Sequence, residues 1–214
     1  MGEMLWDPTN NPDVLIAEFL AGYYGTIGAP AVRSYLDTMH TAIANTSYAG
    51  YGVGANSLGM PPPAGVHKTY LTPRALLLSA RAFRDGVEGL GNVTGPKAAV
   101  YLARLERASM AILYPVLWRW AELKRFAVNA SMAWPLHADL QGTFQYFAAI
   151  FNATGTLVLT DRTQHLSPAQ ALGWLHVCVF APPHKPGRAF GQDCCGSGQD
   201  QSLCRPGAPP PPSR

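Results

Sequence analysis

Residues 96–128 read PKAAVYLARLERASMAILYPVLWRWAELKRFAV. Leu102, Leu105, Ser109, Ile112 and Val116 recur every three or four positions and form one seam, which Tyr101, Ala108, Ala111 and Trp118 widen. That period belongs to a helix, and a helix apolar over so much of its circumference belongs at the centre of a bundle. Pro115 predicts a kink within it, because the ring displaces the carbonyl four residues back. The longest candidate apolar stretch, Ala108 to Trp118, is boxed by Arg107 and Arg119. It is shorter than the roughly 18–20 residues a membrane span requires, so a buried segment is expected and no membrane span.

Four further helices are predicted around this one. The first covers about Pro12 to Tyr24, with Asn11 as N-cap, Pro12 at the first helical position, Asp13 complementing the dipole and Gly25 as the stop. The second covers about Ala29 to Ala44 on the stripe Val32, Leu36, Met39, Ile43. The third opens with Thr72 as N-cap and Pro73, and runs to about Leu90 on the stripe Leu76, Ala80, Phe83, Val87, Leu90. The fifth covers about Ala138 to Phe151 on the stripe Leu140, Phe144, Phe147, Phe151. Strand signals are scarce: Thr156 to Thr160 reads as one short strand, and Ser167-Pro168 as the start of a last short helix through Leu175. The predicted fold class is all-α, a helical bundle of about five helices.

Two stretches do not suit a core. Gly50 to Gly65 carries five glycines and Pro61-Pro62-Pro63, and reads as a long loop. Residues 181–214 hold eight prolines and five glycines; such a composition buries too little apolar surface to offset chain entropy. The expected organisation is a helical domain over 1–175 and a disordered tail over 176–214.

Charged residues make up 14% of the chain and the net charge is +3. That balance excludes a solvated charged polymer and gives no basis for a nucleic-acid partner. The four cysteines, Cys178, Cys194, Cys195 and Cys204, all fall late in the chain, and their spacing matches no zinc ligand set. The histidines show no metal spacing either, so neither metal nor cofactor is expected. His67, beside the Gly/Pro loop, is the one histidine singled out, and a surface loop position suffices for it. Gly50-Tyr51-Gly52-Val53-Gly54-Ala55 matches the letters of a dinucleotide fingerprint but lacks the preceding strand and following helix. Serine-nucleophile elbows, H-E-x-x-H and P-loops are absent. Glycoside hydrolysis needs two facing carboxylates. Glu18, Asp37, Asp85, Glu88, Glu106 and Glu122 read instead as solvated helix faces or helix-surface ion pairs. No catalytic residue is assigned.

Four N-x-[ST] sequons occur, at Asn45, Asn92, Asn129 and Asn152, although the chain has only seven asparagines. Chance predicts about one or fewer. The excess fits passage through a secretory pathway with these four as glycosylation sites. It also fits Asn and Ser/Thr gathering at helix ends for capping. No signal peptide is visible at Met1 to Pro8.

The opening Leu5-Trp6-Asp7-Pro8, with Phe19 and Gly22-Tyr23-Tyr24-Gly25, resembles domain of unknown function 4838, a group related to glycoside hydrolases. Tyr35-Leu36, Leu71-Thr72-Pro73 and Tyr114-Pro115-Val116-Leu117 are consistent with that group's helical region, so the resemblance covers about residues 3–153. The first motif is also similar to the segment after the catalytic barrel of family 67 α-glucuronidases. The resemblance implies a helical region that follows a (β/α)8 barrel, whose active site would lie in the barrel loops. It therefore implies a non-catalytic fragment, inactive alone, with carbohydrate met only through the parent enzyme. Trp6 and Asp7 would lie nearest the barrel. They either line its mouth, with Trp6 facing a sugar, or serve structure, Trp6 packing on the barrel and Asp7 opening a turn; the structural role is preferred. An exposed apolar patch around Trp6, Phe19 and Tyr23 is expected to dock the barrel or another protein. The alternative is a free-standing helical interaction module.

Overall fold

The computed structural model describes residues 11–45, 70–154 and 168–180. These form six helices and no strand: α1 Pro12–Ala44, α2 Pro73–Gly91, α3 Pro96–Trp118, α4 Trp120–Asn129, α5 Leu140–Thr154 and α6 Pro168–Phe180. The chain is all-α among the described residues, as its periodicity predicts. The Gly50–Gly65 stretch, the strand expected at Thr156–Thr160 and residues 181–214 lie outside them.

The predicted first and second helices join in α1, but the join is not straight. Gly25 has φ 73° and ψ 167°, outside helical geometry. Residues 12–24 and 26–44 are thus two arms meeting at Gly25. Asn11 caps the first arm, its side-chain oxygen accepting from the Asp13 N–H at 2.9 Å. The second arm runs antiparallel to α2: a Cβ added at Gly86 would sit 2.7 Å from Ala31 Cβ, and the Tyr35 and Phe83 rings lie 5.2 Å apart. The buried positions of that arm are Gly28, Ala31, Val32 and Met39; Leu36 and Ile43, expected in the same stripe as Val32 and Met39, are 41% exposed. Tyr35 packs against the core in their place, so the buried face is turned toward the 32/35/39 line.

Thr72 caps α2 as expected, its hydroxyl accepting from the Ala75 N–H at 3.1 Å. α2 runs antiparallel to α3, with Leu105 Cδ2 filling the space beside Gly86 and Gly28. The long fourth helix of the sequence reading divides. α3 ends at Trp118, Arg119 leaves helical geometry at φ −107°, ψ 19°, and α4 begins at Trp120. Pro115 sits inside α3 without ending it. The break comes four residues later, where the buried Arg119 is drawn inward: its guanidinium donates to the Leu71 carbonyl and pairs with Glu122 at 2.6 Å. Leu123 and Ala127 of α4 then pack into the core shared with α1 and α2.

α3 is the central element. Leu105, Ile112 and Val116 enter the core with α1, α2 and α4, whereas Met110, Leu113, Leu117 and Trp118 enter a second core with α5 and α6. Two of its faces are therefore buried, as its apolar circumference predicts; Ala111 is the exception and is exposed. α5 runs antiparallel to α3, with Tyr114 and Phe147 rings 6.4 Å apart and Thr154 Oγ1 3.9 Å from Met110 S. α6 continues past the expected end at Leu175 to Phe180, with Leu172, Leu175 and Val179 buried. The connector from α4 to α5 is held by Lys124, whose ammonium lies 4.2 Å from the Trp134 ring and donates to the Ala138 carbonyl at 2.9 Å.

Candidate functional site

The outer face of the first arm of α1 carries Ile16, Phe19 and Tyr23, spaced three and four residues, and Ile27 follows just past the corner at Gly25. All four are exposed, Phe19 most of all at 61%. Such spacing on a helix lines residues along one side. An apolar line of this kind normally faces a core; here it faces outward, while Leu20 supplies the inward contact. The Phe19 and Tyr23 rings stack at 5.5 Å and nearly parallel. Arg104, from α3, lies 4.2 Å over the Tyr23 ring and donates to the Tyr23 carbonyl at 2.9 Å. Val100, one turn earlier on α3, extends the exposed apolar surface. Burial, then the neighbouring Tyr23, raise the Tyr24 hydroxyl above its ordinary pKa, with Arg104 opposing. The structure therefore brings Phe19 and Tyr23 together as one fixed aromatic surface. Trp6 and Asp7 lie outside the described residues.

The four sequon asparagines are all exposed. Asn45 and Asn92 are the C-caps of α1 and α2, Asn129 is the last residue of α4, and Asn152 lies in the last turn of α5. The sites differ in access. Asn92, Val93 and Thr94 are exposed together in the connector to α3. Thr154, the hydroxyl residue of the Asn152 sequon, is half-buried and donates to the Phe151 carbonyl at 3.3 Å.

A cleft of about 380 Å³ opens between α2, α3, the α4–α5 connector and α5. Ala80, Phe83, Val87, Ile112, Leu113, Pro135 and Leu136 give it apolar walls, and Arg84, Glu88, Ser109, His137 and Tyr146 contribute its polar groups. Arg84 is occupied by Asp85 at 2.6 Å and Glu88 at 3.6 Å. Glu106 precedes Ser109 by one turn of α3, and the Ser109 hydroxyl donates to its backbone carbonyl at 2.7 Å. The expectation that Glu106 belongs to a solvated helix face is corrected. It is only partly exposed, and burial raises its carboxyl above the usual carboxylate range. Burial first, and then the charge of Glu106, push the Tyr146 hydroxyl up to about 12. The trace of this in the sequence is a carboxylate one turn from a serine within an apolar seam. Its depth depends on α5, which no spacing within α3 specifies. Among the described residues no three acidic, histidine or cysteine side chains gather into a metal site, and no helix is long and apolar enough to cross a membrane.

The family model of domain of unknown function DUF4838 matches residues 1–37. The match spans the Trp-Asp-Pro opening and the whole exposed aromatic face of α1. It stops short of Leu71-Thr72-Pro73 and Tyr114-Pro115-Val116-Leu117, so the wider resemblance to residue 153 does not extend with it. No curated protein and no solved structure matches the chain.

Proposed function

We propose that the chain is a non-catalytic helical accessory region of a glycoside-hydrolase-like protein, and that it docks its partner domain through Phe19 and Tyr23. The observation that carries this reading is the placement of the outward apolar line. It falls inside the stretch matched by the DUF4838 model, on an arm whose residues 11–19 are exposed except for the half-exposed Leu15. An apolar surface of that kind on a soluble chain marks an interaction site. In this reading a preceding (β/α)8 barrel supplies the catalytic carboxylates and Trp6 packs on it. A free-standing interaction module is the second reading, supported by the same exposed line.

Co-elution with a separately expressed barrel from a DUF4838 protein tests the proposal. The wild-type chain should bind it, and Phe19→Asp with Tyr23→Asp should abolish binding with helical circular dichroism unchanged. Turnover of aryl glycosides or uronides by the chain alone would overturn the non-catalytic role. Failure to bind the barrel, with capture of an unrelated helical protein through the same residues, would favour the module.

A further inference from the structure

The cleft between α2, α3 and α5 lies on other residues than the α1 face and takes no part in the docking reading. Its volume of about 380 Å³ falls within the about 300–1,000 Å³ usual for small-molecule sites, which are likewise mostly apolar with a few polar groups. Its buried lining is Ala80, Phe83, Ile112, Leu113, Pro135 and one polar residue, Ser109. The Ser109 hydroxyl proton is already committed to the Glu106 carbonyl. Arg84 and Glu88, the one arginine and the one carboxylate of the lining, sit at its rim with side chains 36% and 67% exposed, and pair with each other at 3.6 Å. Arg84 also holds Asp85. Beyond the lining, Glu106 and Arg81, which donates to the Ala133 carbonyl, are without an ion pair among the described residues, and their charges are opposite. The surroundings therefore favour neither sign of ligand charge. Tyr146 is different in kind: it lines the cleft, is half-buried, and its hydroxyl has no hydrogen-bond partner among the described residues.

We propose that this cleft binds an uncharged small molecule with an apolar body and a single carbonyl or hydroxyl oxygen, the body lying on Phe83, Ile112 and Leu113 and the oxygen accepting from the Tyr146 hydroxyl. The buried walls gain by covering apolar surface and have almost nothing polar to satisfy. An ammonium or a carboxylate would give up its water there without finding a free counter-charge, because Arg84 and Glu88 already answer each other. A polyhydroxylated ligand would strand its hydroxyls on apolar walls. One oxygen is matched, since a phenol hydroxyl carries one proton to donate and no described residue takes that of Tyr146.

Amide NMR titration of the full chain with benzylacetone, butylbenzene, phenylbutylamine and phenylbutyrate tests this, since the four share an aryl-alkyl body and differ in the polar group. The ketone should bind most tightly and shift the amides of Phe83, Ile112 and Leu113. Butylbenzene should bind about fivefold more weakly, as expected for loss of one neutral hydrogen bond. The amine and the carboxylate should each bind at least about tenfold more weakly than the ketone. Tyr146→Phe should weaken the ketone about fivefold and leave butylbenzene unchanged, a split that a general loosening of the cleft would not produce. Val87→Trp, which adds volume to the cleft, should remove binding of both. No binding by the ketone, binding of either charged ligand as tight as the ketone's, or a Tyr146→Phe chain that treats ketone and hydrocarbon alike would overturn the proposal. So would wild-type ketone affinity in a folded Val87→Trp protein; should that variant not fold, the Tyr146→Phe comparison decides alone.

Discussion

Arg33 Nη2 lies 3.1 Å from Asp13 Oδ1, although both belong to α1 and stand twenty residues apart. In a straight helix that separation is about 30 Å. The pair meets because the chain folds back at Gly25, and Arg33 also holds Asp37 at 3.0 Å on its own arm. These carboxylates, Asp37 first, raise the Arg33 guanidinium further above its ordinary value. The ion pair is solvent-exposed, so it records the fold-back without driving it. The fold-back is what presents Phe19 and Tyr23 on the outside.

Gly25→Ala should destabilise the chain by about 2–4 kcal/mol, read from urea denaturation followed by circular dichroism. Two costs act together. The residue sits at positive φ, and an added Cβ would approach the Tyr101 ring at 2.6 Å. Tyr101→Ala in the same chain should relieve only the contact. A loss below about 0.5 kcal/mol, the range of neutral surface changes, would show that the corner does not depend on glycine.

Arg119→Met should cost about 2 kcal/mol, since hydrogen bonds to a charged group are worth about 1.5–3 kcal/mol and Glu122 is partly open to water. The variant also removes the donor that ties the start of α2, at the Leu71 carbonyl, to the α3–α4 break. Hydrogen exchange should speed up in α4 and at the start of α2 before it does in α5. Equal protection of all helices in the variant would contradict this anchoring role.

Glycan occupancy in a eukaryotic secretory host should be highest at Asn92 and lowest at Asn152. Modification requires a reachable asparagine and hydroxyl residue. The Asn92 sequon is exposed throughout, whereas Thr154 is half-buried and hydrogen-bonded in a helix. Site-resolved mass spectrometry measures the order directly, and a fully occupied Asn152 beside an empty Asn92 would refute it.

Glu106 and Tyr146 predict the pH dependence. The folded-state pKa of Glu106 is raised, so its proton is held more tightly in the folded chain. Its contribution to stability is complete below the ordinary carboxylate pKa of 4.5 and is lost as pH rises through the higher folded value. Glu106→Gln should therefore raise the melting temperature at neutral pH and flatten the profile just above 4.5. Tyr146 repeats the sign at alkaline pH: its contribution is complete below 10.0 and is lost toward about 12. Tyr146→Phe should retain more stability than the wild type over that window. Thermal melts across both windows check each limb, and an unchanged Glu106→Gln profile would mean that burial of the carboxylate is relieved in solution.

Local chemistry determined much of this protein from sequence alone. Asn11-Pro12 and Thr72-Pro73 begin helices because their side chains and ring answer the unpaired N–H groups of a first turn. The seam from Leu102 to Val116 identified the central helix, because two buried faces leave their mark on one segment's own periodicity. Gly25 was legible as a stop, since a residue without Cβ suits positive φ. The direction of the fold-back was not legible, because it depends on Tyr101, far along the chain. The same holds for the break at Arg119, which requires the Leu71 carbonyl, for the exposure of Leu36 and Ile43, and for the burial of Glu106 near α5. Periodicity says that a helix has an apolar face, but only packing decides which neighbour covers it. Arg104 of α3 covers one face of the Tyr23 ring, while Phe19 stays 61% exposed.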